Sequence, residues 1–353
     1  MMKTPTQVSV VIPVFNEEGN IAALAEALDA ALTTGGEDYP SIAIDGYELI
    51  FVDDGSGDRS LFILRGLAAK DQRIRYISFS RNFGHQAALR AGLEAAGGEC
   101  VVMMDGDFQH PPSLVPALIA EYERGFDIVA TKRVEPNAAA PSSSRLYPSK
   151  TDAATMGNQD RTPLVKRLTS RLFYALANKL SDTKLEPGSA DFRLLSRRAR
   201  DVLLSMKEHN LFLRGAIPWT GLPSTEISYT PDRRRSGETK YTLSKMLSLA
   251  LDGITSFSVK PLRLTSFAGI FISGLGFVYA LYALVIRLAT DRTVEGWTSI
   301  LISVLIIGGI QLICLGIIGE YLGKLFMETK GRPHYVVKEA SPSPCREDRG
   351  DRT

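Results

Sequence analysis

Residues 101–112 read VVMMDGDFQHPP. The four apolar residues Val101 to Met104 have the length of a short buried strand, and Asp105-Gly106-Asp107 breaks the run at once. Pro111-Pro112 then opens a helix-like stretch. Two carboxylates one residue apart at a strand end point the same way, because strand side chains repeat every second position. Gly106 between them is expected to leave room for a ligand to approach the backbone. Crowded anionic groups repel unless a cation lies between them, and hard oxygen ligands suit Mg²⁺ or Mn²⁺. Magnesium takes one or two carboxylates plus substrate phosphates, which makes a diphosphate the expected third party.

Working outward, apolar runs at 8–14, 49–52, 74–79, 101–104 and 128–130 alternate with helix-like stretches at 21–32, 61–69, 86–96 and 113–124. This alternation predicts an α/β fold with a mostly parallel sheet covered by helices on both faces. Ligands of such sheets gather at the carboxyl ends of strands. The loops expected there are polar: Asn16-Glu17-Glu18, Asp53-Asp54-Gly55-Ser56 and the aspartate pair. Asn16 and Glu17 also suit a helix cap, and Asp53 or Asp54 suits hydrogen bonds from a base or ribose.

The 353 residues leave room for one sizeable domain and a second region, and the net charge of +2 gives no field that would gather nucleic acid. Three scattered cysteines, Cys100, Cys314 and Cys345, form neither a disulfide framework nor a metal cluster, which fits a reducing, cytosol-facing setting. The start, MMKTPTQVSVVIPVFNEE, meets its charges too soon for the apolar core of a signal peptide.

Residues 134–162, rich in Ala, Ser, Pro and Asn, have no apolar period and read as a flexible insertion, either an inert loop or a lid. An amphipathic helix is expected at 163–180, a strand at 191–195, a helix at 196–206 and a strand at 224–229. Leu243, Met246, Leu247, Ala250, Leu251, Ile254 and Phe257 make a helical stripe suited to a membrane interface. Residues 264–286 and 299–319 carry no charge, and each is long enough to cross about 30 Å of hydrocarbon. The expected organisation is a catalytic domain at 1–240, an interfacial helix at 241–260, two spans within 261–325, and a tail at 326–353 disordered at its end. Lys260, Arg263, Lys324, Lys330 and Arg332 outnumber Arg287 and Arg292 in the connection, which places the catalytic domain and both termini on the cytosolic side of the inner membrane.

The motifs VIPVFNEEGN, VDDGSGD, SRNFGHQAALRAGL, MDGDFQHPP, SADFRLLSR, RRSGETKY, GEYLGKLF and GRPHYVV occur in this order. With two spans behind the domain, the chain resembles the family 2 glycosyltransferases of the GT-A fold. The similarity is to the branch that moves a sugar from a nucleotide diphosphate to a membrane polyprenyl phosphate. It covers residue 8 to about residue 337, apart from the insertion.

The resemblance implies that Pro13, Phe15, Glu17 and Asp54 surround the nucleotide, with Arg81 reaching it. It implies that Asp105, Asp107 and Gln109 hold the divalent metal on the diphosphate, with inversion at the anomeric carbon. Asn82 and Gly84 are expected to shape their loop, His85 is open between helix start and ligand, and His110 is expected to be structural. On the acceptor side, Arg133, Arg234 and Lys240 are cationic partners for a phosphate, with Ser189 adding a hydroxyl. Asp191 is the acceptor-side carboxylate, as a base or as an orienting group. UDP-glucose is the first expected donor, with GDP-mannose and UDP-linked amino sugars as alternatives. The protomers are candidates for association through their spans. A processive synthase would carry a QxxRW-type motif and more spans, and neither is evident. A non-catalytic scaffold fits poorly with intact Asp54, Asp105 and Asp107.

Overall fold

Strands β1 (Thr6–Val14), β2 (Ile44–Asp53), β3 (Ile74–Phe79), β4 (Cys100–Met103) and β5 (Ile128–Arg133) carry the apolar runs of the first half of the chain. The computed structural model describes residues 6–34, 44–133, 146–147, 189–206, 208, 213–229, 258–289 and 296–342. The insertion apart from 146–147, the helix expected at 163–180, Arg234, Lys240, the stripe at 243–257 and residues 343–353 lie outside them.

Four further strands, β6 (Leu146–Tyr147), β7 (Ser189–Ser196), β8 (Ser224–Tyr229) and β9 (Val337–Ala340), complete a nine-stranded sheet. Its order is β6-β8-β5-β7-β4-β1-β2-β3-β9. Among the described strands only β7 and β9 run against the others. The two-residue β6 pairs with β8 and falls inside the stretch that reads as an unstructured insertion.

Helices α1 (Ile21–Thr34), α2 (Ser60–Lys70), α3 (His85–Ala95), α4 (Val115–Glu123) and α5 (Arg197–Ser205) follow strands as the alternation predicts. A 3₁₀ turn at Pro112–Leu114 leads into α4. Both faces of the sheet are covered, as parallel sheets require. On one face Val8, Val10, Ile12, Val102 and Phe192 pack with Leu24 and Leu28 of α1 and Leu118 of α4. On the other, Val11 meets the α3 backbone so closely that a Cβ on Gly92 would stand 2.1 Å from its Cγ1. A helix not anticipated from the sequence, α6 (Leu213–Trp219), contains Pro218 and Gly215 in seven residues. Such a segment has no helical periodicity to read.

After the sheet come α7 (Lys260–Ala289) and α8 (Trp297–Thr329). The stretches Leu262–Tyr282 and Ile306–Thr329 are long and apolar enough to cross a membrane. Phe267, Ile270, Phe271, Leu312 and Leu315 stand exposed along them, more apolar surface than water tolerates on one element. By its internal contacts the chain divides into one unit holding the sheet and another holding these helices.

The segment after α8 belongs to the sheet unit. Strand β9 pairs with β3 at Ile77, Ser78 and Phe79, and Ser80 N–H donates to the Val336 carbonyl at 3.0 Å. The Arg65 guanidinium grips Glu339 with two nitrogens, and Tyr335 stacks on Phe79 with ring centroids 4.8 Å apart. This closes an edge that would otherwise present unpaired backbone groups. A chain ending at Arg332 is expected to lose about 2–4 kcal/mol of sheet-unit stability, from several hydrogen bonds at roughly 1 kcal/mol each. Thermal unfolding of the detergent-solubilised protein reads this as a lowered midpoint.

Candidate active site

Three loops at the carboxyl ends of β1, β2 and β3 are stitched together by their polar residues. Asn16, in a left-handed conformation at φ 57°, donates its N–H to Ser56 Oγ at 2.9 Å, and its Oδ1 accepts from Gly57 N–H at 2.8 Å. Glu17 N–H donates to Ser60 Oγ at 3.0 Å, while Glu17 Oε2 accepts from Asn20 Nδ2 at 2.6 Å. Of the two adjacent aspartates, Asp53 is turned inward, accepting from Ser56 N–H at 3.0 Å and Ser78 Oγ at 2.7 Å.

Asp54 takes the Phe83 and Gly84 N–H groups, one on each oxygen, at 2.7 and 2.9 Å. Burial lifts its carboxyl above the ordinary carboxylate range, and the two N–H donors pull it back. The Asp54 expected beside the nucleotide is thus also the brace of the loop at residues 81–84. Gly55 lets that loop close: its φ is +70°, and a Cβ there would stand 2.5 Å from the Arg81 carbonyl carbon. Arg81 and Phe15 remain exposed at this rim, with the Arg81 guanidinium 4.0 Å from the Phe83 ring centre.

The loop after β4 carries the aspartate pair. Gly106 does not open the backbone to a ligand as the sequence suggests. A Cβ there would meet Val14 Cγ1 at 3.2 Å and the Pro13 carbonyl at 3.4 Å, so the close neighbour is the end of β1. Phe108 is held at φ 64°, a costly conformation for an aromatic residue, with its side chain buried. Asp107 is buried and accepts Gln109 N–H at 3.0 Å. Asp105 is more open, and its two oxygens lie 3.6 Å from His85 Nε2 and from His110 Nε2.

Of those histidines, the sequence leaves His85 open between helix start and ligand and expects His110 to be structural. His85 begins α3, and its Nε2 is also 3.6 Å from Asp191 Oδ2, so it stands between the two sides of the site. His110 is fully buried, its ring stacked on Phe192 at 5.0 Å and edge-on to Tyr229. Its Nδ1 accepts Asp105 N–H at 2.9 Å. Burial holds the imidazole below its usual pKa, against the pull of Asp105. The available signal was a histidine wedged between a candidate ligand, Gln109, and the rigid Pro111-Pro112.

Arg133, the last residue of β5, donates Nη1 to Gln109 Oε1 at 3.1 Å and Nε to Tyr229 Oη at 3.2 Å, with Nη2 at 3.0 Å from His110 Nε2. Burial pushes the Tyr229 phenol up to about 12. Asp191 is buried at the start of β7, with Arg193 Nη2 3.6 Å away. Because β7 runs against β4 and β5, its first residues arrive where its neighbours end. The structure thus brings Asp105, Asp107, Gln109, Arg133 and Asp191 to one edge, with Pro13 against Gly106. Ser189 lies opposite Lys132 at the same edge.

Comparison with known proteins gives this arrangement its family. The family model described as glycosyl transferase family 2 matches residues 9–203. The chain belongs to glycosyl transferase family 2. A second family model, the GtrB C-terminal hairpin, matches residues 260–325 of this glycosyltransferase, over its two apolar helices. The uncharacterized glycosyltransferase YkcC of Bacillus subtilis is 39% identical, over 96% of this chain and 95% of its own. The bactoprenol glucosyl transferase of Shigella phage SfII is 35% identical, over 95% of this chain and 98% of its own. Among solved structures, glucosyl-3-phosphoglycerate synthase of Mycobacterium tuberculosis covers 71% of this chain and 78% of its own at 19% identity and a TM-score of 0.42, too loose an overlap to carry an argument. The α/β sheet of this family 2 glycosyltransferase is the class expected from the alternation of its apolar runs.

Asp54→Asn keeps one acceptor oxygen and turns an amide NH₂ toward the other backbone N–H. The variant is expected to lose about 1.5–3 kcal/mol, the range for a hydrogen bond to a charged group. Thermal unfolding reads the loss, and faster amide exchange at Phe83 and Gly84 localises it.

Proposed function

We propose that this glycosyltransferase moves glucose from UDP-glucose to the phosphate of a membrane polyprenyl lipid, with inversion at the anomeric carbon. The observation that carries the reading is the meeting, at one sheet edge, of an acidic pair from the β4 loop with Arg133 and Asp191, in a chain that continues into an apolar hairpin. The relative from Shigella phage SfII, a bactoprenol glucosyl transferase over nearly its whole length, supports both the sugar and the lipid acceptor.

The donor set suits a divalent cation of the Mg²⁺ or Mn²⁺ kind. Asp105 and Asp107 offer hard oxygens one residue apart, and Gln109 adds an amide oxygen that now accepts from Arg133. Among the described residues no three His, Cys, Asp or Glu side chains are grouped to hold a metal by themselves. That fits a cation sharing its coordination with substrate phosphates. When bound, it supplies neutralisation of the charge that grows on the leaving diphosphate.

The chain's own residues do the positioning. Pro13, Phe15, Glu17 and Arg81 border the nucleotide, and Asp54 holds the loop that completes that border. Arg133, with Ser189, Arg234 and Lys240, receives the lipid phosphate, and Asp191 orients it. A phosphomonoester with a second pKa near 6 is mostly dianionic at neutral pH, so no general base has to create the nucleophile. Its oxygen attacks the anomeric carbon as the bond to the diphosphate breaks, and UDP leaves with the electron pair. In-line alignment of the three partners supplies much of the rate. The excess of Lys and Arg flanking the outer ends of the hairpin supports a cytosolic placement of the sheet unit at the inner membrane.

Membranes containing the protein, incubated with a panel of radiolabelled sugar nucleotides, are expected to pass label from UDP-glucose into the organic phase. Label from GDP-mannose or a UDP-amino sugar instead would reassign the donor, and no lipid label from any donor would overturn the reading. EDTA is expected to stop transfer, and Mg²⁺ or Mn²⁺ to restore it. Asp105→Asn and Asp107→Asn are each expected to lose about 100-fold or more in kcat, several kcal/mol of charge stabilisation, while remaining folded and membrane-bound. Full activity of either variant in EDTA-treated membranes would contradict the metal assignment.

A further inference from the structure

His110 makes contacts that its neighbours in sequence do not explain. Its Nδ1 accepts the Asp105 N–H at 2.9 Å, so that nitrogen carries no proton and the ring proton sits on Nε2. Nε2 is 3.0 Å from Arg133 Nη2. With this tautomer the contact brings two donors together and is not a hydrogen bond. Asp105 Oδ2 is 3.6 Å from Nε2, beyond hydrogen-bond range. Arg133 is held instead by Gln109 and Tyr229, through Nη1 and Nε. The ring cannot swing away, since it is fully buried against Phe192 and Tyr229.

We propose that His110 is a positioning residue for the donor side of the site, anchoring the aspartate loop through the bond from Asp105 N–H to its Nδ1. This rests on the function proposed above, in which Asp105 serves the donor side and Arg133 the acceptor.

The test compares His110→Phe, which keeps a stacked ring and loses both nitrogens, with His110→Asn, whose Oδ1 stands near the Nδ1 position and replaces that acceptor alone. The full-length protein in detergent is titrated with UDP in the presence of Mn²⁺ by calorimetry, and assayed with UDP-glucose and undecaprenyl phosphate. His110→Phe is expected to bind Mn²⁺·UDP about 10- to 100-fold more weakly, the usual cost of losing a partner that orients a metal ligand. His110→Asn is expected to recover most of that affinity. Neither variant offers Arg133 a new acceptor at the Nε2 position, so the KM for undecaprenyl phosphate is expected to move less than the Mn²⁺·UDP affinity does.

Equal Mn²⁺·UDP affinity in His110→Phe and the unchanged protein would overturn the inference. So would a His110→Asn variant no better than His110→Phe, or a lowered unfolding midpoint with the Mn²⁺·UDP affinity unmoved. Unchanged protein that binds Mn²⁺·UDP but labels no lipid would count against the proposed acceptor, and the binding comparison would still decide this inference.

Discussion

Where a chain leaves a buried parallel sheet, its last backbone N–H groups lose their ladder partners and still need acceptors. This requirement shapes the carboxyl edge of the sheet. The N–H groups of Asn16 and Glu17 go to the Ser56 and Ser60 hydroxyls, those of Phe83 and Gly84 to Asp54, and that of Asp105 to His110. The loops after β1, β2 and β3 hold one another in place through side chains, while the loop after β4 is braced by its own His110 and, through Gln109, by Arg133.

One consequence is a division of labour among polar residues that look alike in the sequence. Asp53 and Asp54 are adjacent, yet Asp53 is absorbed into its own turn and Ser78, while Asp54 reaches across to another loop. Asp105 differs from both, since its carboxylate is flanked by two imidazoles at a distance too long for hydrogen bonds. A carboxylate not consumed by the scaffold is the one with capacity left for a ligand. Strain concentrates at the same edge: among the described residues, the two non-glycine positions with positive φ, Asn16 and Phe108, both lie in these loops.

The C-terminal segment carries the same logic to the far edge. Strand β9 covers the open side of β3 through main-chain pairing and the Arg65–Glu339 fork, and Tyr335 lies against Phe79. Phe79 in turn meets Phe83 edge-on at 5.8 Å, so packing runs from the end of the chain to the loop that Asp54 braces. A strand contributed after two long apolar helices thus becomes part of the sheet unit. Its sequence, VKEA, alternates too briefly to be read as a strand.

Much of this protein was legible in the order of its residues. The alternation of apolar runs and helical stripes set the α/β class, because periods of two and of 3.6 are local properties. The charge-free stretches marked the two long helices, since length and composition suffice for that. The polar loops were expected together at the carboxyl ends of strands, where ligands of such sheets collect, and the structure gathers them there. Only the tertiary structure decided that β7 runs against its neighbours and so delivers Asp191 to Asp105, because strand direction is settled by long-range pairing. Only it could show that Gly106 packs on β1, that Asp54 is a brace, and that His85 and His110 flank Asp105. A side chain's partners across the chain depend on which loops the sheet brings together, and no local pattern records that.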